Sequence, residues 1–515
     1  MAYVTRSGAQ FLFNGSRFRF VGGNFYPLFY TTAPQTQAQL DTFFQGCSAD
    51  GVRVIRTWIY NNFQPASNAA GIFQYLSGGS IVYREASFAY ADLVLARARL
   101  AGVKLILVMT DWKSDNPGDG GNPTVDYLRW SDSINGTQTL TQHQVSVSAV
   151  SGDGATATWT TGSAHGFHVG DTLAIAGADQ AGFNNANTMV LTAPSSTTFT
   201  NSCTQSGAGT GTITATRGAN HLQSFYNDPN IQTLFKNYLS QWVNRVNTVN
   251  GLTYQNDDTI FSWELGNEMR FDRNNDPHFG ASNSYNLAVL GASGGWIDTM
   301  STYLKSIDPN HLIGSTDLAH TTDNVTGDTI HNGTSYGIDF TTTGSLTNVD
   351  YFDVHIYPYQ GDNVHLQKYG QALGFPNSAS MQGLRAQMDK FCQLAHAQGK
   401  PMIVGEWGVI KTNNSNDLYT NYPRSVHFQK AMDDFFASDG DGFIPWHYYG
   451  QEPYGTDNNY GIQSQGTYPN SAPFTSMPAL NQTDMPLIDY FRARNKQLQG
   501  KRIVVSDLDA GMPGL

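Results

Sequence analysis

The chain has 515 residues, of which 40% are hydrophobic and only 14% are charged, and its formal net charge at pH 7 is −12. This acidic balance and the lack of a Lys/Arg cluster argue against a nucleic-acid partner. No run of about 18 apolar residues occurs, so we expect no membrane-spanning helix. The N-terminus lacks a basic region followed by an apolar core, so no signal peptide is visible. The low charge and the abundance of Gly, Asn, Thr and Ser nevertheless favour a secreted or cell-surface protein.

Strands and helices alternate along the chain. We predict eight apolar strands at Phe18–Phe25, Val52–Trp58, Val103–Thr110, Thr259–Leu265, His311–Thr316, Tyr351–Tyr357, Met402–Gly405 and Gly442–Trp446. The predicted helices cover Gln35–Ala49, Phe88–Leu100, Asn230–Val249, Trp296–Ile307, Gln382–Gln398, Ser425–Ala437 and Pro486–Gln497. This order favours an α/β fold, specifically a closed (β/α)8 or TIM barrel, which tolerates long insertions. An open doubly wound sheet is the alternative, but no Gly-rich phosphate-binding turn follows the first strand.

Residues 143–216 break this alternation. They contain no Lys, Arg or Glu, and short alternating runs are separated by Gly, Ser and Asn turns. We predict a small all-β module inserted after the third barrel strand, which divides the barrel into residues 1–142 and 217–500 and leaves residues 501–515 as a tail. The module resembles β-modules of phage-tail and surface proteins. A carbohydrate-binding role and a role as a spacer or oligomer contact both stay open.

Two apolar runs end abruptly in a glutamate. Glu268 lies in the run Phe261–Arg270, and Glu406 lies in the run Met402–Gly408. Because active sites of these barrels form at the carboxyl ends of the strands, we expect both side chains at one site. Paired carboxylates beside aromatic residues fit hydrolysis of a glycosidic bond, with Glu268 as acid/base and Glu406 as nucleophile. We expect burial and the charge of Glu406 to raise the pKa of Glu268.

Other polar and aromatic residues at the strand ends are candidates for holding a substrate. The sequence suggests that Arg56 and Tyr357 hydrogen-bond the nucleophile, that Asn267 bonds a sugar 2-hydroxyl, and that His355 orients the acid/base. Trp446 offers a flat apolar face for a sugar. The remaining candidates are Trp58, Trp112, Trp407 and His447.

We expect neither a metal nor another cofactor. Carboxylates and imidazoles do not form a ligand set with metal spacing. Cys47, Cys203 and Cys392 are far apart and odd in number, which is typical of buried thiols rather than of a disulfide framework.

The pairs Asn267-Glu268 and Gly405-Glu406 resemble the hallmark of clan A glycoside hydrolases, and specifically of family 5. Within family 5 the chain is similar to the endo-β-1,4-mannanases over about residues 8–140 and 218–498. The stretches that carry this resemblance are Phe11–Gly15, Phe20–Tyr26, Arg56–Trp58, Phe225–Asn230, Trp263–Arg270 and Val354–Pro358. The resemblance implies a retaining hydrolase of β-1,4-mannosidic bonds in mannan, glucomannan or manno-oligosaccharides. It also implies neighbouring sugar subsites at Trp112 and Arg270.

The chain departs from the family pattern in two places. The third strand ends Thr110-Asp-Trp112, where an Asn is expected before the Trp, and the eighth continues as Pro445-Trp-His-Tyr-Tyr449. An insert beside the third strand is also placed to overhang the groove. A β-glucan hydrolase and an exo-acting β-mannosidase of the same family therefore stay open. A non-catalytic carbohydrate-binding barrel is a further alternative, against which the presence of both glutamates counts.

Overall fold

The structure is a computed structural model. It describes residues 2–29, 34–60, 72–112, 123–135, 142–218, 223–271, 284–316, 336–356, 381–408, 424–450, 462–463 and 485–499.

Eight parallel strands form the centre of the molecule and confirm the predicted barrel. They are β1 (Phe20–Asn24), β2 (Val54–Trp58), β3 (Lys104–Val108), β4 (Ile260–Glu264), β5 (Leu312–Gly314), β6 (Phe352–Ile356), β7 (Met402–Trp407) and β8 (Gly442–Pro445). Their order in the sheet is β5-β4-β3-β2-β1-β8-β7-β6. The gap between β5 and β6 is bridged by Asp350, whose amide donates to the carbonyl of Ile313 at 2.8 Å and whose carboxylate accepts from the Ile313 amide at 2.8 Å.

Helices accompany the strands. The longer ones are Gln37–Ala49, Glu85–Ala101, Pro123–Asn135, Pro229–Val243, Trp296–Ile307, Met381–Ala397, Arg424–Ala437 and Met485–Leu498. The shorter ones are Gln223–Asn227, Ser284–Val289 and Phe340–Gly344, with single 3-10 turns at Tyr26–Leu28, Ala181–Phe183 and Tyr254–Asn256. The sequence analysis missed the helix Pro123–Asn135. None of the helices within the described residues is long and apolar enough to cross a membrane.

Capping residues explain several of these helix limits. Thr36 and Gln39 form a capping box before Gln37–Ala49, and Asp228 accepts the amide of Asn230 at the start of Pro229–Val243. Gly102 ends its helix in the left-handed conformation, at φ 70°. One helix was predicted to reach Val249 but ends at Val243, and turns follow it.

The barrel interior is apolar towards the amino-terminal ends of the strands. Side chains such as Phe20 and Phe261 fill this layer, and a three-stranded hairpin sheet packs beneath it. Phe11 of that sheet lies edge-on to Phe261, with ring centroids 5.1 Å apart. The hairpin strands are Val4–Ser7, Gln10–Phe13 and Ser16–Arg17. The charged side chains that Arg56 joins therefore lie above this layer, towards the carboxyl-terminal ends of the strands.

The β-segment, residues 143–217, forms an antiparallel sheet of its own. Its seven strands are His143–Asp153, Thr156–Thr161, Thr172–Ala178, Asn185–Ser195, Thr198–Ser202, Ser206–Gly209 and Gly211–Arg217. The first strand pairs with the second and the last, so six of the strands close into a ring. A separate apolar core that includes Trp159 and Phe199 fills this ring.

One loop of the β-segment rests on the barrel. The carbonyl of Val169 accepts hydrogen bonds from the Tyr285 hydroxyl at 3.0 Å and from the side-chain amide of Asn227 at 3.1 Å. Gly170, at φ 91°, is needed there, because a Cβ would collide with the Tyr285 hydroxyl. His168 also lies 3.6 Å from Asp228, the cap of the helix Pro229–Val243. Two further two-stranded sheets are present: Gln74–Ser77 pairs antiparallel with Ser80–Tyr83, and Tyr448–Gly450 pairs parallel with Ile462–Gln463.

Candidate active site

The backbone after β4 is tied to its neighbours on both sides. The amide of Asn267 donates to the carbonyl of Thr110 at 2.8 Å, and the amide of Trp112 donates to the carbonyl of Asn267 at 3.2 Å. The amide of Met269 donates to the hydroxyl of Thr316 at 2.6 Å. Glu268 lies between these anchors with φ 48°, in the left-handed region that few residues other than glycine adopt. The neighbouring hydrogen bonds hold it in this conformation.

Glu268 and Glu406 meet across the barrel mouth. One carboxylate oxygen of each lies within 4.8 Å of the other, and the Glu406 residue is only 3% exposed. This spacing lies near the about 5–5.5 Å of retaining glycosidases and well short of the about 6.5–9.5 Å of inverting ones.

Arg56 on β2 connects the polar side chains below the two glutamates. Its guanidinium donates to Glu406 Oε1 at 2.9 Å, to Glu264 Oε2 at 2.7 Å, to Asn267 Oδ1 at 2.9 Å and to Asn24 Oδ1 at 3.2 Å. Arg56 is completely buried. It therefore positions the carboxylate of Glu406 from beneath through the hydrogen bond that the sequence analysis predicted, while its complete burial is inconsistent with a direct contact to substrate.

Charge in this interior is balanced around Arg56. Burial lowers the pKa of the guanidinium, but the charges of Glu264, Glu406 and Asp353 outweigh burial and raise it, so Arg56 stays protonated. Burial raises the pKa of Glu264, and the charge of Asp353 adds to this against the opposing effect of Arg56. The Tyr351 hydroxyl donates to Glu264 Oε1 at 2.9 Å.

Glu268 is surrounded by donors. His355 Nδ1 lies 2.9 Å from its Oε1, Trp112 Nε1 donates to its Oε2 at 3.2 Å, and an Arg270 guanidinium nitrogen lies 3.9 Å from Oε2. Burial raises the pKa of Glu268, but the hydrogen bond with His355, the charges of Arg270 and His355, and the indole hydrogen bond together lower it below its usual range. The net direction is opposite to the one expected from burial and the charge of Glu406.

Aromatic rings form one wall beside the glutamates. Trp446 stacks on Tyr26, with ring centroids 5.6 Å apart and planes 12° apart, and Trp58 lies 5.7 Å from Trp446. The peptide bond from Trp446 to His447 is cis. On the Glu268 side, the guanidinium of Arg270 lies 3.7 Å from the ring centroid of Trp112.

The predicted site residues do not all face this mouth. Trp407 is fully buried and packs against Phe443, because it follows Glu406 on β7 and points to the other face of the strand. His447 is also fully buried, with its ring against Tyr26 and Trp446. Neither side chain is available to a substrate, so both predictions are corrected. Tyr357 lies outside the described residues.

Asp111, which stands after the third strand where the family pattern has an Asn, makes buried contacts. Asp111 accepts from the Tyr60 hydroxyl at 2.8 Å and from the Asn267 side chain at 3.5 Å, and it is fully buried. The aspartate therefore supports Asn267 from behind instead of reaching the mouth.

The sequence analysis missed three polar residues of this interior. They lie within strands or directly before one, where the surrounding apolar residues suggested core alone. A charged or amide side chain inside an otherwise apolar strand is the signal that marks them, since a buried polar group needs partners. They are Glu264, Tyr351 and Asp353.

Three ligand atoms in the mouth lie close enough for a metal ion. One atom each from Glu268, His355 and Glu406 lies within 4.8 Å of the others. However, His355 Nδ1 is engaged with Glu268, and Glu406 Oε1 accepts from the Arg56 cation. These engagements favour a network of protons and hydrogen bonds over a cation at this position.

A (β/α)8 barrel with a close pair of glutamates and aromatic rings at its carboxyl-terminal mouth has the architecture of a retaining glycoside hydrolase. A family model described as "GH family 5 beta-mannosidase-like" matches residues 210–466. The chain belongs to glycoside hydrolase family 5.

Relatives with assigned names agree with this family. The chain is 29% identical over 254 residues to mannan endo-1,4-beta-mannosidase 5 of Arabidopsis thaliana, an alignment that spans 46% of this chain and 52% of that protein. It is 24% identical over 452 residues to mannan endo-1,4-beta-mannosidase 3 of the same plant, spanning 85% of this chain and 78% of the relative. The crystal structure of the endo-1,4-beta-mannanase from Rhizomucor miehei has a TM-score of 0.60 at 19% identity and covers 97% of this chain and 100% of its own, which shows the shared fold.

We expect Arg56→Met to lower the free energy of unfolding by about 3–5 kcal/mol, because it leaves the buried carboxylates of Glu264 and Glu406 without their cation. Urea unfolding followed by tryptophan fluorescence measures this loss. Arg385→Met is the matched control, since Arg385 pairs with Asp389 at a partly exposed site where an ion pair contributes less than about 1 kcal/mol. Equal losses of unfolding free energy in both variants would show that the buried network stabilises the protein no more than an exposed ion pair.

Proposed function

We propose that the chain is an endo-acting β-1,4-mannanase that cleaves mannan, glucomannan or manno-oligosaccharides with retention of the anomeric configuration. The separation of at most 4.8 Å between an oxygen of Glu268 and one of Glu406 is the observation that supports retention. Retaining enzymes hold their two carboxyl groups about 5–5.5 Å apart so that one attacks the anomeric carbon directly, whereas inverting enzymes need about 6.5–9.5 Å to admit the attacking water beside the substrate.

In the first step, Glu406 is the nucleophile. Its carboxylate attacks the anomeric carbon, the bond from that carbon to the leaving oxygen breaks, and Glu268 donates a proton to that oxygen. The hydrogen bond from Arg56 to Glu406 Oε1 fixes the carboxylate and favours its ionised form. A covalent glycosyl-enzyme and a free aglycone sugar result.

In the second step, Glu268 acts as base. It removes a proton from water, the water oxygen attacks the anomeric carbon, and the bond to Glu406 breaks. Glu268 thus regains its proton, and the free carboxylate of Glu406 is regenerated.

The proton for the first step is held by Glu268 and His355 together. Their facing atoms are 2.9 Å apart, so a proton on Nδ1 of an imidazolium and a proton on Glu268 are two arrangements of the same pair. As the leaving oxygen gains negative charge, the arrangement with the proton on Glu268 delivers it to that oxygen. A low pKa of the Glu268 carboxyl is therefore compatible with its role as acid.

The two sides of the mouth receive different sugars. The leaving sugar lies on the side of Glu268, where the ring of Trp112 and the guanidinium of Arg270 offer a face and hydrogen-bond donors. The sugar that becomes attached to Glu406 lies towards the wall formed by Tyr26, Trp58 and Trp446. Rings of this kind suit the C–H-rich faces of sugars.

The choice of mannan as substrate is supported by the relatives, which are named mannan endo-1,4-beta-mannosidases. An extracellular location is part of the proposal, because a polysaccharide of this size is met outside the cell.

We expect Glu406→Ala to abolish hydrolysis of mannohexaose and Glu268→Ala to lower its kcat by about 10²–10⁴-fold. On an aryl β-mannoside with a good leaving group, Glu268→Ala should release the first equivalent of phenol at a nearly normal rate, because that departure needs no proton. Chromatography of the oligosaccharides and a stopped-flow phenol assay measure the two effects.

Cellohexaose serves as the matched substrate for these assays. An endo-mannanase produces internal fragments such as mannobiose, mannotriose and mannotetraose from mannohexaose and leaves cellohexaose intact. Faster cleavage of cellohexaose would favour the β-glucan alternative, release of mannose alone would favour the exo-acting one, and undiminished activity in both glutamate variants would overturn the assignment.

We expect Arg270→Gln to move the alkaline limit of kcat/KM to higher pH by roughly half a unit, the small size reflecting screening of a partly exposed charge. The sign follows because Arg270 lowers the pKa of Glu268; without that cation the acid keeps its proton to higher pH. Arg385→Gln, far from the mouth, should leave the profile in place. A shift to lower pH in Arg270→Gln would contradict the role of Glu268 as acid.

A further inference from the structure

Asp353 is a buried carboxylate close to the acid/base but hidden from the mouth. It lies on β6 two residues before His355, so both side chains point into the barrel interior. The residue is 1% exposed. Among the residues that the structure describes, no hydrogen-bond donor reaches either of its side-chain oxygens. An acid placed so deep without donors requires another stabilising contact.

That contact is the imidazole of His355. Asp353 Oδ2 lies 3.7 Å from His355 Nε2, and His355 Nδ1 lies 2.9 Å from Glu268 Oε1. The ring therefore stands between two carboxylates, one at each nitrogen. Whichever nitrogen carries a proton faces an acid.

We propose that Asp353 is a positioning residue for the hydrolysis described above: its charge holds a proton on His355 and orients the ring so that Nδ1 faces Glu268. The proposal rests on the proposed role of Glu268 as acid/base. Asp353 touches neither substrate nor reacting atoms, so it acts through His355.

The interior is built to keep this carboxylate in place. A Cβ on Gly405 of β7 would lie 2.2 Å from Asp353 Oδ1, so only glycine leaves room for it. The negative charge of Asp353 also acts on Arg56 and Glu264, which shows that it belongs to the same charge network.

The charges around the shared proton determine the sign of the effect. Glu406 Oε1 lies 3.6 Å from His355 Nδ1 and, like Asp353, favours retention of the proton. Arg270 faces Glu268, and its positive charge favours loss of the shared proton. The buried guanidinium of Arg56 acts in the same direction, although the charges of Glu264 and Glu406 partly balance it. Neutralising Asp353 removes a negative charge from this set, so the proton leaves at lower pH.

We expect Asp353→Asn to move the alkaline limit of kcat/KM on mannohexaose to lower pH by about one unit, the smallest shift typical of an adjacent charge. At pH values above the alkaline limits of both the unaltered protein and Asp353→Asn, this shift lowers kcat/KM of the variant about tenfold. KM at the pH optimum should change little, because Asp353 does not contact the sugar. Release of phenol from an activated aryl β-mannoside, which needs no acid, should be nearly unaffected.

Asp441→Asn is the control, since Asp441 is another buried carboxylate, paired with Arg17 away from the mouth. It should alter thermal stability without moving the pH limit. Asp353→Ser, which is smaller and also neutral, repeats the test in case the amide of asparagine prevents folding. A folded Asp353 variant with an unchanged pH limit, or with equal loss on both substrates, would overturn the proposal.

A different experimental result would overturn the proposed function. If Glu268→Ala retained full activity on mannohexaose, Glu268 would not be the acid, whatever Asp353 does. If Glu268→Ala lost activity and Asp353→Asn kept the normal pH profile, only the role of Asp353 would be wrong.

Discussion

The guanidinium of Arg56 is the contact on which the polar half of the barrel interior depends. Its hydrogen bonds join Asn24 on β1, Glu264 on β4, Asn267 in the following loop and Glu406 on β7. Removing so many polar groups from water is costly unless each finds a partner. A cation fixed by β2 satisfies them together, and this places Glu406 at a defined height in the mouth.

The two glutamates reach the same space by different routes. Glu406 belongs to β7 itself, and hydrogen bonding to the neighbouring strands determines its position. Glu268 lies beyond the end of β4, where anchors to Thr110 and Thr316 hold a left-handed backbone. Their environments also differ. The carboxylate of Glu406 accepts from a buried guanidinium, while that of Glu268 faces an imidazole nitrogen, and this difference supports the proposed roles of Glu406 as nucleophile and Glu268 as acid/base.

Much of this arrangement could be predicted from the sequence, because apolar runs mark buried strands and barrels place their sites at strand ends. The parts that could not be predicted depend on side-chain direction. Trp407 was predicted to be a site residue because it follows Glu406. Successive side chains of β7 point to opposite faces, however, so Trp407 points away from the barrel interior towards the helices. Glu264 was overlooked because its partner Arg56 lies on a distant strand, and Asp353 because it stands within an otherwise apolar strand. The pKa of Glu268 depends on Trp112, Arg270 and His355, which only the folded chain brings together.

The stereochemistry of cleavage tests the central claim most directly. Proton NMR of the first products from mannohexaose in D₂O distinguishes the two anomers before mutarotation mixes them. A separation of at most 4.8 Å between oxygens of Glu268 and Glu406 predicts that the new reducing end appears first as the β-anomer. Initial appearance of the α-anomer would mean direct attack by water, and would contradict a covalent intermediate on Glu406.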